Sequence, residues 1–440
     1  MPYVIKSLMK SMQSIVRTRL ISFIAGLIIV PVGTILVVLF AKGYRPDLQS
    51  GQITVSGILS THTYPENAQI FIDGKLMPSV TNSNLNLLPG EYTLEFKKEG
   101  FQSWKKNLKI EKEIVTTATA VLFPSVPALK PVSSQSATRV TLSPDGTRVA
   151  FLSKSNQVYT LDLSESALGM LNRESRLAGS LPISLSTQNL QLIWSPDSRY
   201  ILATDYAVKS SSPSAFFIDP GNQEVTTAGT SLTYLLQSWK DRQKVQDLQK
   251  FNSLPPALKD VLATSSANIS WAPRENKLLY TATASASLPL QVKKPLPGSS
   301  TQFQKRDLTP GEVYIYDLEE DRNFLLSAKI LPSPTPIKTL PKKQKIIVPI
   351  SPSPYTSSPA HPSGWAWFPT SSHLYRVEDG KIIIIEYDNQ NPVTIYSGLL
   401  LENTAIPYPS GKQMLLLTNF SVTPAASSSA QPTLYALTLR

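Results

Sequence analysis

Hydrophobic and polar residues follow three patterns along this chain. An uninterrupted apolar stretch begins at Leu20 and ends at Ala41 without a charged residue. Apolar and polar positions then alternate with period two through residues 51–124, and short apolar runs separated by turn residues recur through residues 125–440. These patterns predict one long apolar helix followed by a mostly β chain.

The apolar stretch has the length of a membrane-spanning helix. About 21 residues at 1.5 Å per residue extend roughly 31 Å, the thickness of the hydrocarbon core. A cleaved signal peptide is the alternative, but its apolar centre is shorter and ends in a small-x-small site. Residues 1–19 carry four positive charges and no negative one, which places the N-terminus in the cytoplasm. We therefore predict a single-pass cell-membrane protein, anchored in the lipid bilayer through residues 20–41, with the bulk of the chain extracytoplasmic.

Residues 51–124 predict a small antiparallel sheet. Turn signals separate its strands at Asp73-Gly74, Pro89-Gly90 and Glu99-Gly100, where the chain needs positive or preset φ angles. These residues form an ordered set of motifs: Pro65-Glu66-Asn67-Ala68, Ile70-Phe71-Ile72-Asp73-Gly74, Leu88-Pro89-Gly90-Glu91-Tyr92 and Gly100-Phe101-Gln102-Ser103-Trp104.

In order and spacing these motifs resemble the PEGA family. Asn67 replaces the third residue of the naming motif, and Met77-Pro78-Ser79 departs from the family's usual segment after the Asp-Gly turn. The resemblance implies a small, surface-exposed, β-sandwich-like domain, often beside a membrane anchor, and implies no catalysis. Glu66 and Asp73 are explained by turn chemistry and not by metal binding or acid/base catalysis.

A repeated unit organises the rest of the chain. Each copy has an apolar strand, a turn containing proline, a second apolar strand and, after a gap, a third strand. The five copies begin at Val140-Thr141-Leu142-Ser143-Pro144, Leu192-Ile193-Trp194-Ser195-Pro196, Ile269-Ser270-Trp271-Ala272-Pro273, Trp365-Ala366-Trp367-Phe368-Pro369 and Ala405-Ile406-Pro407-Tyr408-Pro409.

The first two copies, with Ser-Pro-Asp turns, resemble TolB-like and WD-repeat-like β-propellers. Removing the inserts from residues 125–440 and allowing about 40 residues per blade predicts five or six blades. The run at Ser143 also loosely resembles the sialidase Asp-box. That pattern needs one more residue before the glycine and an aromatic residue after it, so we predict a plain hairpin turn.

Three inserts interrupt the predicted propeller. Residues 231–265 predict helices, with Leu232, Leu235, Leu236 and Trp239 on one face, which packs on the propeller or is left for a partner. Residues 283–310 and 329–363 are rich in Ser, Pro and Lys and predict mobile or extended arms.

Charge and composition remove several classes of function. The net charge of +11 comes from the basic tail and the two Pro/Ser/Lys-rich inserts, so the folded body is nearly neutral and nucleic-acid binding is not expected. Cysteine is absent, which excludes disulfides and thiolate chemistry. The three histidines, His62, His361 and His373, are far apart in sequence, and we interpret them as surface or loop residues and not as metal ligands.

The sequence contains no catalytic motif, so we predict no enzymatic activity, no catalytic or metal site and no cofactor. We expect an extracytoplasmic binding or scaffold protein whose propeller face engages an envelope protein or glycan. The first alternative is a propeller glycosidase or other carboxylate-dependent hydrolase. Its candidate acids include Glu319-Glu320-Asp321 and Glu378-Asp379, which we interpret as solvated charges in turns. A structural component that assembles laterally through a sheet edge is the second. The basic arms could contact anionic polymers or lipid head groups.

Overall fold

The computed structural model describes most of the chain after the basic tail. The described residues are 23, 25–38, 44–46, 53–164, 174–182, 190–205, 215–229, 232–292, 300–327, 363–419 and 431–440. The arm at 329–363 therefore lies outside them except for its last residue, as does His361.

Residues 25–38 form a helix (α1) inside the stretch predicted to cross the membrane. The two ends of that stretch, at residues 20–22 and 39–41, lie outside the described residues. Within the described part of the chain, none of the helices combines the length and hydropathy that a bilayer crossing requires. The large apolar side chains of α1 have exposed fractions of 47% to 69% in nine cases: Leu27, Ile28, Ile29, Val30, Val32, Ile35, Leu36, Val37 and Val38.

The described residues of the N-terminal β-region contain nine strands. They are β1 (Tyr44–Pro46), β2 (Ile53–Val55), β3 (Gly57–Tyr64), β4 (Gln69–Ile72), β5 (Lys75–Val80), β6 (Ser83–Leu87), β7 (Gly90–Lys97), β8 (Trp104–Ile110) and β9 (Val115–Val121). Strands β1 and β2 form a pair, and the others form a three-stranded sheet ordered β6-β3-β9 and a four-stranded sheet ordered β5-β4-β7-β8.

Period-two burial in this region agrees with the sequence pattern. Ala68, Ile70, Leu94 and Phe96 are completely buried, while their neighbours along the strands are partly or fully exposed. The predicted Asp73-Gly74 turn has φ angles of 49° and 78°. Asp73 Oδ1 accepts a hydrogen bond from Thr93 N at 2.8 Å, so this side chain has a structural role in its turn.

The repeat region forms five described four-stranded sheets. Its strands are β10 (Leu129–Pro131), β11 (Thr138–Leu142), β12 (Arg148–Leu152), β13 (Gln157–Asp162), β14 (Arg176–Ser180), β15 (Leu190–Trp194), β16 (Ile201–Asp205), β17 (Ala215–Asp219), β18 (Glu224–Thr227), β19 (Ser266–Trp271), β20 (Lys277–Ala282), β21 (Ala286–Ser287), β22 (Asp307–Leu308), β23 (Val313–Asp317), β24 (Arg322–Ser327), β25 (Ala366–Trp367), β26 (His373–Glu378), β27 (Lys381–Glu386), β28 (Val393–Ser397), β29 (Ala405–Pro407), β30 (Gln413–Thr418) and β31 (Thr433–Thr438).

Four of these sheets follow chain order, and the fifth joins the two ends of the region. The first four are β11-β12-β13-β14, β15-β16-β17-β18, β19-β20-β23-β24 and β25-β26-β27-β28, and the fifth is β10-β31-β30-β29. Strand β10 pairs with β31 in antiparallel register, with Leu129 opposite Leu437. The sequence pattern predicted three strands per unit and did not reveal the outermost strand. In three of the sheets this strand, β10, β14 or β18, has only three to five residues and is partly exposed.

Neighbouring sheets share apolar cores, as the blades of a β-propeller do. Sheets one and two bury Leu152 and Val158 against Trp194 and Ile201. Sheets three and four, four and five, and five and one share equivalent clusters.

Two helices accompany sheets two and three. Helix α2 (Leu232–Asn252) begins with Leu232, which packs with Leu202 of sheet two, and Trp239 joins that cluster. Phe251 at its other end and Leu258 of α3 (Pro256–Ser265) share a core with sheet three. The apolar face of the helical segment is thus covered by the sheets.

The described residues of the first Pro/Ser/Lys-rich insert differ from the predicted mobile arm. Strands β21 and β22 pair, and Leu288 and Leu308 are buried in the core of sheet three. Arg306 Nη2 contacts Asp321 Oδ1 at 2.8 Å, and Lys305 Nζ contacts Glu312 Oε2 at 2.5 Å. Two of the basic residues predicted to contact anionic polymers or lipid head groups therefore pair with carboxylates of the protein itself.

A glycine pair tests the packing of the fifth sheet's turn. Gly411 and Gly364 both have positive φ, 67° and 78°, but only Gly411 would place a Cβ 2.9 Å from a neighbour, Phe368 Cε1. We expect Gly364→Ala to cost about 1 kcal/mol of folding stability from backbone strain. Gly411→Ala should cost about 1–3 kcal/mol more, from overpacking.

Thermal unfolding of the two full-length variants, followed by circular dichroism, measures this difference. Equal midpoints for the two variants would contradict the packing described around Gly411.

Candidate functional site

The five predicted repeats adopt the same turn. Two backbone hydrogen bonds close the turn in every copy. In the first copy, Gly146 N donates to Ser143 O, and Ser143 N donates to Arg148 O. The residues at the equivalent positions make the same two bonds in the other four copies. Every copy also has a positive φ at the fourth turn position. These φ angles are 72° at Gly146, 59° at Ser198, 58° at Glu275, 60° at Ser371 and 67° at Gly411.

Side chains reinforce this turn most strongly in the first two copies. Ser143 Oγ donates to Asp145 Oδ1 at 2.6 Å and accepts from Arg148 N at 2.9 Å. Ser195 and Asp197 repeat the first of these bonds at 2.5 Å. Ala272, Phe368 and Tyr408 occupy the serine position in the later copies, so the proline and the backbone bonds maintain the turn there.

The turns also connect neighbouring sheets in a repeated way. Asp145 N donates to Ser198 Oγ, and Arg274 N donates to Ser371 Oγ, each at 3.0 Å. Ser198 and Ser371 occupy the position with positive φ, which costs a residue with a Cβ. Their hydroxyls compensate by binding the backbone of the preceding sheet.

Tryptophans before two of the turns make a second repeated connection. Trp194 Nε1 donates to Thr141 O at 3.3 Å, and Trp367 Nε1 donates to Ser270 O at 3.2 Å. In both cases the acceptor lies two residues before the turn of the preceding sheet. These bonds fix the two indole rings beside the edge strands.

The turns of four sheets line one open cavity of about 120 Å³. The lining comes from sheets one, three, four and five, so their first strands converge at this point. Its residues are Leu142, Asp145, Gly146, Pro273, Trp367, Pro369, Tyr375, Pro407 and Pro409. Four of the nine are prolines, and Asp145 is the carboxylate among them.

Asp145 and Tyr375 differ in their titration. Burial opposes ionisation of Asp145, but hydrogen bonds from Ser143 and Thr147 and the charge of Arg148 bring its pKa below the usual value. Burial raises the pKa of Tyr375 well above its usual value. At neutral pH the cavity therefore contains one carboxylate and a neutral phenol.

Elsewhere in the same compact unit lies a buried cluster of charges. This unit takes the described residues within Glu95–Lys106, Val121–Pro295 and Gln302–Arg440, and the other takes those within Met1–Leu94, Asn107–Ala120 and Leu296–Thr301. Lys106 Nζ lies 2.6 Å from both Glu386 Oε2 and Asp388 Oδ2. Trp104 Nε1 donates to Glu386 Oε1.

Burial governs the titration of this cluster. Burial raises the pKa of Asp388, and the neighbouring Glu386 carboxylate adds to the increase while Lys106 opposes it. Burial would lower the pKa of Lys106, but the two carboxylates raise it. This cluster was not predicted from the sequence. Glu386 ends strand β27 after four isoleucines, and Asp388 lies in the turn that follows.

The residues considered for catalysis do not meet. Asp321 is buried and accepts hydrogen bonds from Tyr316 and from the backbone of Gln291 and Val292. Glu378 forms an exposed pair with Arg376. Asp379, next to Gly380, has a positive φ in a hairpin turn.

The histidines also have separate positions. His62 is exposed, while His373 is buried against Phe123 and Phe368, so the interpretation of His373 as a surface residue is wrong. Burial lowers the pKa of His373 to about 3, and the charges of Arg440 and Lys106 contribute. Among the described residues, no group of three or more His, Asp or Glu side chains could hold a metal ion.

Comparison with known proteins identifies one domain. Residues 56–125 match the PEGA domain, which confirms that sequence resemblance. No curated protein sequence matches the chain.

Solved structures give a weaker likeness to β-propellers. TolB from Acinetobacter baumannii has a TM-score of 0.21 and 12% identity over 79% of this chain and 59% of its own. A putative TolB from Agrobacterium tumefaciens has a TM-score of 0.21 and 10% identity over 67% of this chain and 78% of its own. The β-propeller domain of Cps50 (Swd1) from Myceliophteria thermophila has a TM-score of 0.26 and 11% identity over 71% of this chain and all of its own.

Removal of the buried lysine tests the charge cluster. We expect Lys106→Met to lower the free energy of unfolding by about 3–5 kcal/mol near neutral pH, because two buried carboxylates lose their counter-charge. The pKa of Asp388 is higher in the folded protein than in the unfolded chain. The free energy of unfolding therefore falls as the pH rises from the ordinary carboxyl pKa through the pKa of the folded state. The loss should therefore shrink as the pH is lowered towards the ordinary carboxyl value.

Denaturant unfolding at several pH values provides the measurement. Lys109→Met is the control, because Lys109 and its partner Glu111 are largely exposed and such pairs contribute about 0–1 kcal/mol. A similar loss in both variants, or a loss independent of pH, would contradict the assignment.

Proposed function

We propose that this protein is a membrane-anchored, extracytoplasmic binding protein whose propeller engages an envelope protein at the face containing the cavity. The convergence of four sheets on one open cavity carries the proposal. Because each lining residue belongs to a fixed turn or its adjoining strands, the cavity presents a preorganised surface. The fifth sheet pairs β10 from the start of the repeat region with β31 from its end, which supports a closed, five-bladed arrangement.

Binding is favoured over catalysis by the chemistry of the cavity. A typical glycosidase requires two carboxyl groups about 5–9.5 Å apart on either side of the scissile bond. The cavity lining contains Asp145 as its carboxylate, and Asp321, Glu378 and Asp379 are used in their own turns and ion pairs. The alternative of a carboxylate-dependent hydrolase therefore receives no support from this site.

The membrane anchor remains part of the proposal. The uncharged stretch from Leu20 to Ala41 follows a basic tail, and the described helix α1 within it exposes nine large apolar side chains. Such a surface is more stable in lipid than in water. In the chain, the domain matched at residues 56–125 follows this stretch and precedes the repeat region.

An exposed sheet edge supports lateral assembly as a second candidate. Strand β5 is an edge strand of its sheet, and its Leu76 and Val80 have exposed fractions of 52% and 45%. An unpaired, partly apolar edge can add a strand from another chain. In this reading the propeller face serves no partner.

Membrane fractionation tests the anchor. We expect the full-length protein to remain with the membranes after an alkaline wash, and a variant lacking residues 20–41 to be released. Protease added to sealed cells should remove the region after residue 42. Release of the full-length protein by the wash, or protection of that region, would exclude the proposed topology.

Photo-crosslinking in intact cells tests the binding face. A photoreactive residue replacing Arg274, which is exposed beside the cavity-lining Pro273, should capture one defined partner. As a control, the same photoreactive residue replaces Tyr234 of α2, which is 79% exposed and does not line the cavity. Equal capture at both positions would exclude a specific face, and capture of a second copy through β5 alone would favour lateral assembly.

A further inference from the structure

The walls of the cavity offer little hydrogen bonding to a ligand. Pro273, Pro369, Pro407 and Pro409 have no backbone N–H, and Leu142 adds another apolar surface. The indole N–H of Trp367 is already bound to Ser270 O. A sugar has a hydroxyl on most of its carbons, so these walls suit a sugar poorly and an aliphatic chain well.

The remaining lining favours a positive charge. Asp145 supplies a carboxylate, while Trp367 and Tyr375 supply aromatic rings, whose faces attract cations. No ion pair joins Asp145 to a cation among the described residues. Arg148 is nearby, but its guanidinium lies 5.1 Å from the Trp194 ring and donates to Ser198 O.

The size of the cavity limits the ligand. Its volume of about 120 Å³ is well below the ~300–1,000 Å³ of sites that enclose a small molecule. One extended side chain is the natural occupant of a space of that size, with the rest of the partner remaining on the surface.

We propose that the cavity binds a lysine or arginine side chain of a partner protein. The aliphatic stem of that side chain contacts Leu142 and the prolines, and its cationic end lies between the aromatic rings and the carboxylate of Asp145. This inference rests on the proposed function, because it specifies which chemistry a protein partner must present to the propeller.

The chain provides a matched control for the key residue. Asp197 occupies the same position in the second turn, makes the same bond to its serine and has a lowered pKa, caused chiefly by that hydrogen bond. It is exposed like Asp145 but does not belong to the cavity lining. Asp145→Asn and Asp197→Asn therefore perturb equivalent turns, while only the first removes the charge of the cavity.

Peptide titration tests the proposal. The probes are pentapeptides with lysine, arginine or norleucine at the centre of four glycines, titrated into detergent-solubilised full-length protein containing 5-fluorotryptophan. Fluorine NMR follows the Trp367 signal, which a Trp367→Phe variant assigns. We expect the lysine and arginine peptides to bind about threefold or more tightly than the norleucine peptide, a preference that Asp145→Asn abolishes and Asp197→Asn preserves.

Several outcomes would overturn the proposal. They are equal affinity for the norleucine peptide, no effect of Asp145→Asn, an equal effect of Asp197→Asn, and no binding of any peptide. Binding of soluble oligosaccharides that displaces the peptides and survives Asp145→Asn would also overturn it, in favour of a glycan site.

The crosslinking assay separates this inference from the proposed function. If Asp145→Asn leaves capture from position 274 unchanged, the cavity does not recognise a cation, although the face still binds a partner. If no partner is captured by the unsubstituted cavity face, the proposed function itself fails.

Discussion

The pairing of β10 with β31 is the constraint on which the repeat region depends. Leu129, Lys130 and Pro131 pair with residues near the C-terminus, so the fifth sheet is complete only when the beginning and the end of the region meet. Sheets five and one then share a core containing Val149, Phe151 and Leu415. Without that contact the first turn would not lie beside the fourth and fifth turns, and their residues would not line one cavity.

Within this constraint, the turn explains why the repeat is hard to recognise after its second copy. Its two backbone hydrogen bonds and its proline are present in all five copies. The Ser-Pro-Asp side-chain bonds are confined to the first two copies among the described turns. Since the backbone maintains the geometry, the other positions can change. The position directly before the turn is Trp367 in the fourth copy and Pro407 in the fifth, and both residues line the cavity.

The buried charges and the cavity illustrate two uses of polar groups. Lys106 forms ion pairs with both Glu386 and Asp388 inside one compact unit, where burial carries a high desolvation cost. Asp145 is ionised and exposed, and its Oδ1 accepts hydrogen bonds from Ser143 and Thr147. The cavity that it lines opens towards solvent. We therefore assign the first group to stability and propose a role in recognition for the second.

Much of the local structure could be predicted from sequence. Alternation at Ala68, Ile70 and Ile72 predicted strands because side chains in a strand alternate between faces, and the Asp73-Gly74 turn followed from its φ requirement. The five turns were predicted for the same reason, since proline and residues tolerating positive φ act within a few bonds of their own position.

The contacts between distant segments were not predictable. The outer strands β10, β14 and β18 carry no clear periodicity, because each has only three to five residues and their burial does not alternate. His373, Leu288 and Leu308 are buried only because other elements cover them. The sequence by itself determined the strands, the turns and the long uncharged stretch, which depend on neighbouring residues. Only the tertiary structure decided which turns meet at the cavity and which charges pair, because those contacts join residues separated by up to several hundred positions.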